Sequence, residues 1–146
     1  MSSINDEVLG TLVFDRGWTK EENFKLWGYD LKLKIVFSAY ENESINDDQR
    51  KGYINFKENL LDISSRSLRK TEEYIQKIEN EVIPYIDFDR IPDDISRIVK
   101  PSSIMILESG NIGVLCDCSW DMDHGIAILI SDRKNIEVGS QDIIWE

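Results

Sequence analysis

A chain of 146 residues with 41% hydrophobic content, four Trp, five Tyr and five Phe can bury one sizeable core, and is too rich in aromatic and aliphatic groups to be disordered. Its 28 acidic against 17 basic residues give a formal net charge of −11, a field that repels nucleic-acid phosphates and anionic membranes and favours cationic partners. No apolar stretch approaches the ~20 residues of a spanning helix, and the opening Met-Ser-Ser-Ile-Asn-Asp-Glu-Val carries early acids rather than an apolar signal region, so the expectation is a cytoplasmic single domain over residues 1–146 with no nucleic-acid and no membrane partner.

Val8 to Phe14 reads as a first strand, closed by the turn cluster Asp15-Arg16-Gly17. A second strand runs from about Trp18 to Trp27, and Gly28 breaks it. Tyr29, Leu31, Leu33, Ile35 and Phe37 then alternate with Asp30, Lys32, Lys34, Val36 and Ser38, the clearest period-two pattern in the chain. The first set is expected inside, with Lys32 and Lys34 in water.

After Tyr40 the period changes. Ser44 is the candidate helix cap, with Asp47 and Asp48 in the first turn, where the helix dipole favours acids. Tyr53, Phe56, Leu60 and Ile63, then Leu68, Thr71, Ile75, Ile78 and Val82, recur at three- and four-residue steps. They predict an amphipathic helical region with a break near Ser64-Ser65, ended by Pro84. An acidic connection from Asp87 to Lys100 carries a short helix after Pro92. Ser103–Leu107, Ile112–Cys116, Gly125–Ile130 and Asn135–Val138 are the last four strands, with turns at Ser109-Gly110-Asn111 and Asp132-Arg133-Lys134-Asn135. Three strands, then helices, then four strands predict an α+β fold: an antiparallel sheet with helices packed on one face.

Chemistry is sparse. No GxSxG elbow, no G-x-x-x-x-G-K-[ST] loop and no GxGxxG after a strand occurs, and His124 is the one histidine available as a base. Cys116 and Cys118 would share one strand face about 7 Å apart, too far for a disulfide that brings Cβ atoms to about 3.8 Å, so free thiols are expected. With one histidine and two cysteines, no closed zinc site is expected. The densest unusual segment runs from Asp117 to Gly125. Asp117, Asp121 and Asp123 there could be oxygen ligands, but their spacing does not fit the calcium-loop pattern. The structural alternative is a hairpin connection in which an Asp caps backbone amides, Trp120 covers the core edge and Gly125 supplies positive φ. Neither a metal, a cofactor nor a catalytic residue is assigned, and the chain is expected not to be an enzyme.

Trp120-Asp121-Met122-Asp123-His124-Gly125, followed by the strand Ile126–Ile130 and Glu137-Val138-Gly139, resembles the WDxEHG motif of a family of small bacterial proteins classed as domains of unknown function. Leu9-Gly10, Trp18, and Gln49 with Tyr53 and Phe56 are similar to that family's pattern in outline, while Asp123 stands where the family has Glu. The resemblance implies an immunity protein encoded beside a toxin, with Trp120, Asp121, Asp123, His124 and Gly125 as structural motif residues.

Acidity fits such a role, because an acidic inhibitor is steered to a basic cleft. Candidate partner-binding residues are Glu41, Glu43, Asp47 and Asp48 at the helix start and Glu72, Glu73, Glu79 and Glu81 further on. From Lys70 to Asp94 eight acids stand against three bases. The partner expected is a cationic toxin domain; the alternative is an unrecognised enzyme, or a small-ligand or metal-binding domain centred on Asp117 to Gly125.

Overall fold

The computed structural model describes residues 2–40, 42–132 and 134–145. Four strands come first: β1 (Ser3–Asp6), β2 (Gly10–Phe14), β3 (Trp18–Leu26) and β4 (Tyr29–Phe37). Helices α1 (Asp47–Glu58), α2 (Leu60–Lys77) and α3 (Glu79–Val82) follow. The chain then forms β5 (Val99–Ile106), β6 (Ile112–Cys118), β7 (Asp121–Ser131), β8 (Asn135–Ser140) and a short α4 (Asp142–Trp145). The eight strands make one sheet in chain order, antiparallel except for the parallel pair β4–β5. That exception has a simple cause. The helices carry the chain back along the sheet, so β5 starts at the end where β4 started, as a parallel crossover requires.

The fold is therefore α+β, and the alternating segment behaves largely as its pattern predicts. Leu33, Ile35 and Phe37 are buried, and Lys32 and Lys34 are exposed. Tyr29 departs: it is 46% exposed, because it directly follows the β3–β4 turn and its hydroxyl reaches out to donate to Asp94 at 2.6 Å. The turn itself, Trp27-Gly28, has φ of +55° and +84°, the double left-handed geometry that suits a two-residue hairpin. Trp27 tolerates it because its backbone N–H donates to Ser64 Oγ at 2.7 Å and its indole N–H to Ser67 Oγ at 3.2 Å.

Several boundaries move for local reasons. The first strand predicted from Val8 begins at Gly10, because Asp6 Oδ1 accepts the N–H groups of Val8 (2.9 Å) and Leu9 (3.0 Å) and folds Glu7–Leu9 into a turn; an extra strand, β1, precedes it. Asn46, not Ser44, caps α1, accepting from the Gln49 N–H at 2.8 Å while Gln49 Oε1 accepts from the Asn46 N–H at 3.1 Å. The helical break falls at Asn59 rather than Ser64-Ser65. Ser64 is turned inward to meet Trp27, whereas the Asn59 amide donates to the Asn55 carbonyl and closes α1. The short helix after Pro92 is one 3-10 turn, Ile95–Arg97, capped by Asp94. In the turn before β8, Arg133 lies outside the described residues.

α2 touches both β3 and β8, five places apart in the sheet, so the sheet curls around the helix. The concave core holds Phe37, Phe56, Ile63, Ile75, Ile104, Ile128 and Ile130. Its aromatic contacts include Phe24–Phe56 at 5.7 Å and Phe37–Tyr53 at 5.6 Å, both edge-on. The central helices pack on one face, as expected, and the short C-terminal helix was not anticipated. α4 lies on the other, where Ile144 covers Gly113 and Ile143 covers Gly139, at sheet positions of opposite parity to the core-facing Ile112 and Val114.

Candidate functional site

The segment from Asp117 to Gly125, anticipated as a loop, is mostly strand. Cys118 pairs with Asp121, so Ser119 and Trp120 alone make the turn between β6 and β7. Cys116 next pairs with Ile126, which leaves Met122, Asp123, His124 and Gly125 bulged out opposite Asp117. Asp121 organises this bulge: its Oδ1 accepts the His124 N–H at 3.2 Å and lies 3.1 Å from His124 Nδ1. Gly125 has φ +66°, and a Cβ there would meet the Cys116 carbonyl oxygen at 2.3 Å. Only glycine lets the bulged chain rejoin the ladder.

The candidate chemical groups of this segment do not converge. Cys116 and Cys118 are free and buried, whereas Asp117, Asp123 and His124 are exposed. Burial raises both thiols, Cys118 to about 12, so they are protonated and weakly nucleophilic near neutrality. Among the described residues no three His, Cys, Asp or Glu side chains come together in a way that could hold a metal ion.

A cleft of about 300 Å³ does open beside the bulge, where the end of α2 and α3 meet the β6–β7 turn. Tyr74, Ile78, Glu81, Trp120, Asp121 and Gly125 line it. Trp120 is half-buried against the core. The Tyr74 phenol is raised above its ordinary value by burial first, then by the nearby charge of Glu81. Neither the Tyr74 hydroxyl nor the Trp120 indole N–H has a hydrogen bond among the described residues. Trp18 and Trp27 differ, each donating to a protein oxygen: Glu43 carbonyl at 2.9 Å and Ser67 Oγ at 3.2 Å.

The acidic residues proposed from sequence fall into two groups that the fold keeps apart. Glu43, Asp47 and Asp48 lie where α1 starts, beside the turn that enters β6; Glu79 and Glu81 lie by the turn that leaves it. Glu41 lies outside the described residues. Glu43 accepts from the Tyr40 N–H at 3.0 Å and Asp47 pairs with Arg50 at 2.9 Å, while Asp48 is exposed. Glu73, Glu79 and Glu81 are exposed and Glu72 is half-buried. None of these four carboxylates forms an ion pair or side-chain hydrogen bond among the described residues.

Sequence reasoning missed two features. Ile78 was read only as a helix-face residue and Tyr74 was not singled out, although the steps 74, 78 and 81 place them on one side with Glu81. The second is an ion cluster between β3 and α1. Glu22 accepts from Lys57 at 2.7 Å, from Lys20 at 3.0 Å and from the Tyr53 hydroxyl, and Lys20 Nζ sits 4.6 Å from the Tyr53 ring centre. Burial alone would raise the Glu22 carboxyl, but the hydrogen bonds from Lys57, Tyr53 and Lys20 outweigh it and bring it to about 2. Beside it, Arg50 bridges Asp6 at 2.8 Å and Asp47. Lys20 and Glu22 stand two apart on β3, but nothing local announces that Tyr53 and Lys57 come from α1 to meet them.

A family model described as Domain of unknown function (DUF6985) matches residues 8–145, and so spans every described element except β1. Neither the curated proteins nor the solved structures gave a match.

Proposed function

The chain belongs to the family described as Domain of unknown function (DUF6985), and on that premise we propose that it is a cytoplasmic immunity protein, a non-catalytic binding module that neutralises a cognate bacterial toxin with a cationic surface. One observation carries this reading: four of the carboxylates on α2 and α3 have no ion pair and no side-chain hydrogen bond among the described residues. Several other carboxylates are consumed in local pairs, as Glu21 is with Lys32, Asp15 with Lys34, Glu22 with Lys20 and Lys57 and, on α2 itself, Asp62 with Arg66. Glu72, Glu73, Glu79 and Glu81 stand without such partners among the described residues, and all but the half-buried Glu72 are exposed. Eleven units of net negative charge add a long-range field that accelerates encounter with a basic surface. No helix among the described residues is long and apolar enough to cross a membrane.

Co-expression with the toxin encoded beside this gene tests the reading. Cells carrying the toxin should survive only with this protein present, and equal death with and without it would end the proposal. In purified form, association should slow steeply as salt rises while dissociation changes little. Replacing Glu72, Glu73, Glu79 and Glu81 together by Lys should slow association at least about tenfold at low salt.

A further inference from the structure

We infer that the cleft between Tyr74, Glu81 and the Trp120–Asp121 turn receives a single arginine side chain of a partner protein. The inference rests on the protein-binding reading above and names the group that this part of the surface would take. Three properties of the cleft select arginine. Two of its lining residues are aromatic, Tyr74 from α2 and Trp120 from the β6–β7 turn, and a planar guanidinium stacks on aromatic faces. Its acids are Glu81, which has no ion pair among the described residues, and Asp121, which engages His124 through Oδ1 and has no hydrogen bond on Oδ2. Two carboxylates reject an anion and suit a forked cation with five N–H donors. Finally, the Trp120 indole N–H and the Tyr74 hydroxyl, on two residues that line the cleft, have no hydrogen bond among the described residues, so a bound residue's own carbonyl group can be met as well as its charge.

Size limits the occupant. About 300 Å³ is the lower end of the range for ligand sites, enough for one long side chain and too small for a folded segment or a dinucleotide. Lysine would satisfy the charge, but its ammonium is a hydrated point that cannot stack flat or bridge two carboxylates through a planar fork. The Asp121 that holds the bulge in shape thus also faces the cleft, and the wall of the site is set by the same hydrogen bonds that fix the turn.

The probe is N-acetyl-arginine methylamide, titrated into the ¹⁵N-labelled full chain while the tryptophan indole N–H resonances are followed by NMR. The Trp120 resonance, assigned by its loss in Trp120→Phe, should shift and saturate at millimolar probe, while the Trp27 resonance stays in place. N-acetyl-citrulline methylamide, planar but uncharged, should leave Trp120 unmoved, and the lysine analogue should bind more weakly. The double variant Glu81→Gln/Asp121→Asn should weaken the arginine probe at least about tenfold. An unchanged Trp27 resonance in that variant reports that the fold is kept. A Trp120 resonance that ignores the arginine probe, or answers citrulline equally, overturns the inference. Its fate separates from that of the immunity reading: a toxin bound as tightly by the double variant as by the native chain sinks the arginine site alone, whereas a saturable arginine site in a protein that fails to protect cells sinks immunity alone.

Discussion

Asp121 and Gly125 stabilise the same bulge by different physics, and substitutions should separate them. Asp121→Ala removes one acceptor for a largely exposed N–H, which water can replace, so the loss should be about 1 kcal/mol in chemical denaturation. Gly125→Ala has no such escape. It places a methyl 2.3 Å from a backbone oxygen at a left-handed φ, and should cost more than Asp121→Ala and well above about 1 kcal/mol. Equal losses would mean that the bulge relaxes around a Cβ. At this scale the sequence was informative wherever a residue acts on its own neighbours. Cys116 and Cys118 face the core together because strand parity alone dictates it. Tyr29 belongs to the same parity as Leu33 and Ile35 yet emerges into water, since its place next to a turn and its bond to Asp94 outrank the alternation.

Among the elements, the start of α1 shows how one side chain can serve two levels of structure. Gln49 completes the capping box with Asn46, and its Nε2 also donates to the Ser38 carbonyl at 2.9 Å and the Ile106 carbonyl at 3.2 Å, where β4 and β5 end side by side. Asn46→Ala should cost about 1 kcal/mol, the usual worth of a helix cap. Gln49→Ala should cost more, about 2 kcal/mol or above, because two carbonyls at a buried position lose a donor along with half the box. Thermal melts of both variants check the order, and the reverse order would mean that water reaches the Gln49 site. Helical periodicity made these helices legible without their ends. The cap moved from Ser44 to Asn46 and the break from Ser64-Ser65 to Asn59 because serine serves either a cap or an inward contact equally well. The contact with Trp27, 37 residues away in the chain, decided which.

For the molecule as a whole, the cluster joining β3 to α1 gives stability a sign on the pH axis. Glu22 titrates at about 2 in the fold against an ordinary 4.5, so its contribution is complete above about 4.5 and is lost as pH falls from there towards 2. Asp6, held below its ordinary value chiefly by Arg50, acts in the same direction. The urea midpoint should therefore drop between pH 6 and pH 3, and Glu22→Gln should be less stable at pH 6 while losing less on acidification; parallel pH profiles for the two proteins would rule Glu22 out as a cause. Composition and periodicity by themselves determined the fold class, the order of strands and helices, the acidic character and the faces of the regular strands, since each follows from residues at most a few positions apart. The curl of the sheet around α2, the parallel β4–β5 pair, the placement of α4 on the far face, the Glu22 cluster and the cleft that joins Tyr74 and Glu81 to Trp120 were decided only in the tertiary structure. These depend on groups tens of residues apart in the chain, and a local pattern fixes which side of an element is apolar without fixing which other element will cover it.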